Sequence, residues 1–541
     1  MGAVKSIFSF RGNRPAEEPQ AAGDGEAAEA QAAAEAQVAA EAQAAAEAQA
    51  AAEAQAAEAQ AAEAQEEQGG EAGETSGVGA SQVGRKRKAS PEGHLAKVPR
   101  KKMAQTKSRA IFELPFLRGE NSDIKIRAFD EEWCLHRVYL CRSGYFASMF
   151  SGAWLETNMD IVEMQMPDEN IDCDSFNETL GYLYSSNIAI PPNRVIAFLA
   201  TASMLQLDEL ILQCEEIMKV SVSVETVCSF YYNAENYGLV HIRYICHQWF
   251  LDNLMIRQNS ELLRGVGLDL MKELIASSDL LVIGVEIDVY TTLKKWMFLH
   301  LEPTWSGSQG ALLAAADLYF KEYKTNSDGT PFLETDQGRA FRPVFQQLRL
   351  AYIICDLPSA HIIEQDALIP ATWLIPIYKE QWLMIIQAEQ SRELGPAEVY
   401  MCEIRGNSMR CGGQLHADEP CSWTWSGFNF GWDLVVCYTN RRVVFRRSAL
   451  NKSCGLSVSL LWQRRVVFRL RVISFDRSGN TVLRKDTGYQ VLCLRRHQEL
   501  EVINLENQEL TFPMYVTCNF LYIPEEGGPS HYGESGRSPR T

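Results

Sequence analysis

The chain has 541 residues, too many for one hydrophobic core, so two to four domains are expected. Its formal charge of −18 argues against a general affinity for nucleic acid, yet the charge is unevenly placed. Residues 1–80 hold 15 acidic against 3 basic side chains, residues 81–110 hold 1 acidic against 10 basic, and the remainder is an ordinary acidic globular surface.

Fourteen cysteines stand singly in apolar segments such as YLCRS and YICHQW, and none forms a CxxC pair. The chain opens without an apolar leader, so reduced, mostly buried thiols of an intracellular protein are the expectation. No window approaches the roughly 18 consecutive apolar residues of a membrane span, and no transmembrane segment is expected.

In chain order, MGAVKS places Gly2 and Ser6 where an N-myristoylation signal has its glycine and hydroxyl, the alternative being a chance match in a tail. Residues 1–81 are a low-complexity Ala/Glu/Gln tail. Its AEAQAA repeat advances a helix by about 600° per unit, so the glutamates rotate around the axis and no apolar seam forms. A disordered or fluctuating spacer is expected, with a binding site as the alternative. Residues 82–110 form a basic linker with two clusters, Arg85, Lys86, Arg87 and Lys88, then Arg100, Lys101 and Lys102. This is the arrangement of a bipartite nuclear-import signal; a solvated linker and weak phosphate binding are the alternatives. Ser90, before Pro91, is a candidate phosphosite whose phosphate would offset the neighbouring cations.

Residues 111–220 carry the densest apolar patterning. GENSDIKIRAF alternates Ile124 and Ile126 with charged neighbours as a half-buried strand does. A second strand leads to a helix with Tyr145, Phe146, Met149 and Phe150 at one-turn spacing, started by the hydroxyl of Ser143. IVEMQMP is another strand ended by Pro167, after which Phe176, Leu180, Leu183 and Tyr184 share a helix face. Asp123 in NSDIKI, His136-Arg137, Ser143, YFASMF and LGYLYSSNIAI together resemble a BTB/POZ domain. The resemblance implies a mixed α/β domain that forms a homodimer, with Asp123 and His136 as a buried polar pair near the dimer interface. Neither has a nucleophile beside it, so a satisfied structural residue is the alternative for each. It also implies a cullin contact. Trp154, Leu155 and Glu156 match the hydrophobic-X-acidic motif of cullin-binding BTB adaptors, the alternative being a Trp154 that caps the core.

Residues 221–301 show wholly helical periodicity, with Gly238 as a stop signal, and resemble the BACK domain, an all-α stack that follows BTB in ubiquitin-ligase adaptors. Residues 302–390 read as a mixed helical connector broken by Pro358 and Pro370. Residues 391–524 read as antiparallel β: Val466, Phe468, Leu470 and Val472 alternate with Arg469 and Arg471, which are expected on a solvent face. WTWSGFNFGW is either a recognition surface or sandwich core. Cys402, Cys411, His416 and Cys421 match no common zinc-module spacing, so neither metal nor cofactor is expected. Residues 525–541 read as a disordered tail.

YIICDLPSAHIIEQDALIP, RGNSMRCGGQL, CSWTWSGFNFGWDLVV and FPMYVTCNFLYI carry the resemblance further, to the germ cell-less family, over about residues 110–524; the Ala/Glu/Gln tail lies outside it. The fold class expected is therefore α+β multidomain: BTB/POZ, BACK-like helical stack, C-terminal antiparallel β domain. The resemblance implies a non-catalytic, substrate-specific adaptor of a cullin-RING ubiquitin ligase that takes protein substrates through its C-terminal domain. It also implies nuclear-matrix or nuclear-envelope association, with nuclear-envelope proteins among its partners, and a part in germ-cell development and spermatogenesis. A nuclear scaffold or transcriptional corepressor that uses BTB only for self-association is the alternative. For an enzyme the sequence offers no phosphate loop, metal-ligand set or nucleophile elbow.

Overall fold

The computed structural model describes residues 116–152, 159–326, 329–354, 357–389, 401–424, 434–447, 463–495 and 498–523. The fold is α+β. Strand β1 (Ile124–Ala128) pairs antiparallel with β2 (Glu131–Leu135) and parallel with β3 (Ile161–Glu163). Alternation sets the faces: Ile124, Ile126 and Ala128 are buried, while Lys125 and Arg127 reach Glu132 at 2.7 and 2.8 Å on the other side.

Helix α1 (Arg137–Leu140) is a single turn, and α2 (Gly144–Met149) starts at Ser143. The buried Ser143 hydroxyl accepts from the Phe146 N–H at 3.4 Å and donates to the Leu205 carbonyl at 2.5 Å, so it both caps α2 and ties it to a distant helix end. Helix α3 (Cys173–Ser185) is capped by Asp172, which accepts from the Ser175 N–H at 2.6 Å. It buries the expected Phe176, Leu180, Leu183 and Tyr184.

Helix α4 (Val195–Leu205), VIAFLATASML, has no strongly polar face because it serves two cores. Ala200, Ala202 and Leu205 pack into the first unit, whereas Val195, Phe198 and Leu199 join the helical layer beyond it. Helix α5 (Asp208–Val220) divides in the same way, with Leu210 on one side and Cys214 and Met218 on the other.

The helical layer continues through α6 (Val227–Asn236), α7 (Val240–Asn253), α8 (Ser260–Gly265), α9 (Leu268–Ala276), α10 (Glu286–Leu301) and α11 (Leu312–Asn326). It ends with α12 (Arg342–Phe345), α13 (Leu350–Ile353), α14 (Leu357–Asp366) and α15 (Ala371–Glu389). Gly238, at φ 71°, follows α6 in the left-handed conformation that a side chain disfavours. One apolar core runs from Val195 to Leu374, so the helices on both sides of residue 301 pack together. The buried Lys294 ammonium bridges Asp317 at 2.5 Å and Asp366 at 2.6 Å, tying α10 to α11 and α14.

After α16 (Met401–Asn407) the chain forms a sandwich. One sheet runs β10 (Gln490–Arg495), β8 (Gln463–Phe475), β12 (Met514–Ile523), β4 (Met409–Leu415), with β9 (Thr481–Asp486) also on β8. The other runs β11 (Glu499–Asn504), β7 (Arg442–Arg447), β6 (Leu434–Thr439), β5 (Cys421–Thr424). Phe445 of the second sheet meets Phe468 of the first edge-on at 5.0 Å between centroids.

The outward face of the five-stranded sheet lies against the helical layer, and this corrects the expectation of an arginine-rich solvent face. Arg471 is fully buried and the Arg469 side chain is 17% exposed. Arg471 donates to the Asp279 carbonyl at 2.7 Å, and Arg469 holds Asp486 at 2.6 Å and also Asp279. Arg410, two strands over on β4, forks onto Glu286 through two bonds of 2.9 Å and donates to the carbonyls of Ile275 and Ser277 at the C-terminal end of α9. The turn Asp476–Asn480 plugs into α7, where Asn253 donates to the Gly479 carbonyl at 2.9 Å and Trp249 to that of Ser478 at 3.2 Å. The strap between α9 and α10 is thus clamped across the sheet.

The GG of RCGGQL has a matching explanation. Successive strand residues point to opposite faces. A Cβ at Gly412 would stand 2.3 Å from the Val282 carbonyl oxygen of the strap, and one at Gly413 would stand 2.2 Å from the Trp423 indole nitrogen inside the sandwich. Gly412→Ala is therefore expected to destabilise the protein by about 1–3 kcal/mol in a denaturant titration, because its obstacle is backbone. An unchanged midpoint would show that the strap is free to retreat.

Candidate protein-interaction surfaces

Around α1 the chain places the two polar residues singled out above. The Asp123 carboxylate accepts from the Arg137 N–H at 2.8 Å, capping α1 where His136, the residue before the helix, makes no side-chain cap. The Tyr184 hydroxyl lies 2.9 Å from the His136 N–H and 3.1 Å from its Nδ1, and the Glu120 carbonyl lies 3.0 Å from Nε2. A carbonyl only accepts, so the ring proton belongs on Nε2 and Tyr184 donates to Nδ1. Burial pushes the Tyr184 phenol up to about 12, which keeps that proton in place. In the single chain Asp123 is exposed and His136 half-buried, and they bond other groups rather than each other. The arrangement is structural; it aligns no nucleophile.

Beside this network apolar side chains face solvent. Val138 of α1 is 72% exposed, and Met159 and Ile161, at the start of β3, stand 47% and 40% exposed. The Arg137 guanidinium donates to the Met159 carbonyl at 2.6 Å and joins the two segments into one surface. A second exposed group lies on the packed pair α5 and α7: Leu212, Val240 and Tyr244. Helical periodicity separates these from the buried Leu210, Cys214, Ile242 and Cys246, a signal present in the sequence but overlooked beside the longer core stripe.

Trp154, Leu155 and Glu156 lie outside the described residues, as do Gly2, Ser90 and both basic clusters at Arg85–Lys88 and Arg100–Lys102. Of the four metal-type residues weighed above, Cys411 is buried inside the sandwich, Cys421 is half-buried on a strand of the opposite sheet and His416 is exposed. Trp423 packs against the sandwich core, and the rest of WTWSGFNFGW from Trp425 onward lies outside the described residues. Among the described residues no helix is long and apolar enough to cross a membrane.

With one sheet engaged by the helical layer, the sandwich presents the outward face of the four-stranded sheet. Cys437 and Val444 lie on that face, with Ser422, Thr439, Arg446 and Glu499 around them. The arginines of the buried junction were missed as structural residues because alternation locates a face without saying what covers it.

A profile of the BTB/POZ domain matches residues 112–222. Germ cell-less protein-like 1 of Mus musculus is 52% identical over 82% of this chain and 84% of its own length. Germ cell-less protein-like 1 of Homo sapiens is 51% identical over 80% and 84% respectively. Protein germ cell-less of Drosophila melanogaster is 31% identical over 81% of this chain and 82% of its own. Similarity of this extent runs through the BTB/POZ unit, the helical layer and the sandwich, and the chain belongs to the germ cell-less family.

Proposed function

We propose that this protein is a substrate-specific adaptor of a cullin-RING ubiquitin ligase. Its BTB/POZ unit and BACK-like helices hold the cullin, and its sandwich holds the protein to be ubiquitinated. The observation that carries the proposal is continuity. Helix α4 belongs to two cores, and the strap between α9 and α10 is clamped onto the sheet by Arg410 and Arg471. A target on the sandwich would therefore be held at a fixed position relative to a partner on the BTB/POZ unit, which is the geometric requirement for directed transfer.

The cullin side is assigned to Trp154, Leu155 and Glu156 together with the exposed Leu212, Val240 and Tyr244. Changing Trp154 and Glu156 to alanine is expected to remove a hot spot of about 2 kcal/mol or more, roughly a thirtyfold loss of cullin affinity. Size-exclusion chromatography on the same variant should show self-association retained, since that contact belongs to the α1 surface. Unchanged cullin binding would overturn the assignment of the motif.

The basic clusters are assigned to nuclear import and Gly2 to reversible acylation, which supports nuclear-matrix or nuclear-envelope residence. The names of the relatives, germ cell-less, support a part in germ-cell development, within which we place spermatogenesis. The exposed Val138, Met159 and Ile161 favour a second reading, a nuclear scaffold or corepressor whose BTB/POZ unit only self-associates. Cullin binding separates the two.

A further inference from the structure

The four-stranded sheet carries two adjoining depressions that share Pro420. One, of about 320 Å³, lies at the tip of the β6–β7 hairpin and is lined by Asp418, Glu419, Tyr438 and Arg441. The other, of about 260 Å³, lies along the outward face, with Cys437 and Val444 beside the hydroxyls of Ser422 and Thr439. Its charged lining is Arg446 and Glu499. Together they make a trough over a regular sheet, a shape that accepts an extended chain whose side chains alternate between floor and solvent.

The charges select the occupant. In the first depression Asp418 is already engaged, accepting from the Tyr438 hydroxyl at 2.5 Å and from Arg441 at 2.7 Å, and these bonds hold its carboxyl below the usual range. Arg442 is shared by Glu501 at 3.1 Å and Glu506 at 2.6 Å. Arg446 stands directly across the strand pair from Glu499. Among the described residues five carboxylates therefore meet three arginines on this side of the sandwich, and Glu419 has neither an ion pair nor a hydrogen bond there. A cationic side chain entering beside Glu419 or Glu499 gains a partner, whereas an anion meets an acidic excess.

We propose that this trough docks an extended, lysine- or arginine-bearing segment of a partner protein. The proposal rests on the adaptor function above and names what its substrate side grips.

The test pans a library of short random peptides on the full chain, then measures the enriched peptides, fluorescein-labelled, against purified variants. Basic peptides are expected to be enriched, with affinity that falls as salt rises. Glu419→Lys combined with Glu499→Lys is expected to weaken them about tenfold or more, and Arg446→Glu to tighten them. These positions are exposed, and circular dichroism confirms the fold of each variant. Bound peptide should also slow amide exchange in β6. Enrichment of acidic or uncharged peptides, or equal binding by the Glu419→Lys/Glu499→Lys protein, would overturn the proposal. A chain that binds the cullin but no basic peptide overturns this inference alone; one that binds basic peptides but no cullin overturns the adaptor function alone.

Discussion

Arg410→Ala is expected to lower stability by about 3–5 kcal/mol, among the largest effects of any single substitution in the junction. Arg410 is 0% exposed and its partner Glu286 is also 0% exposed, so removing the guanidinium strands a carboxylate where no water reaches it. The same change deprives the carbonyls of Ile275 and Ser277 of their donor at the end of α9. Denaturant unfolding measures the loss, and limited proteolysis should find the strap between α9 and α10 newly sensitive. The double variant Arg410→Met with Glu286→Leu is expected to recover most of the loss, because it removes both charges of the pair together. A double variant as weak as the single one would show that the carbonyl contacts, not the ion pair, dominate.

Trp296→Ala is expected to cost about 3–5 kcal/mol through the helical core. Trp296 is fully buried, meets Phe341 edge-on at 5.4 Å, and donates its indole N–H to the Val266 carbonyl at 2.8 Å. Alanine leaves both a cavity and an unpaired buried carbonyl. Trp296→Phe fills much of the space but not the bond, so it should fall between alanine and the parent in the same titration. Equal stability of the phenylalanine and parent proteins would remove the hydrogen bond from the explanation.

Much of this architecture is written locally. Ser143 is a helix start because its hydroxyl caps, Gly238 is a stop because it takes positive φ, and the β1 and β8 alternations follow from the strand repeat. Burial against another element is not local. Arg469 and Arg471 look like solvent-facing residues in FRLRVI, and their burial is offset by the Asp279 carbonyl at Arg471 and by the Asp279 and Asp486 carboxylates at Arg469. Asp123 illustrates the converse. Its residue type suits a buried polar pair, but its partner in the chain is the N–H of Arg137, supplied by a helix of four residues. The trough around Pro420 is assembled from segments that converge only when β5 and β11 pair onto the β6–β7 hairpin, so no spacing in the sequence announces it.

The most direct test of the adaptor function is calorimetric titration of the purified full chain with the amino-terminal region of a BTB-binding cullin. Saturable binding at one cullin per chain is expected, with a dissociation constant of about 1 µM or below and a loss of roughly thirtyfold in the Trp154→Ala/Glu156→Ala protein. A folded, self-associating chain that gives no binding heat and no co-elution with the cullin would contradict it.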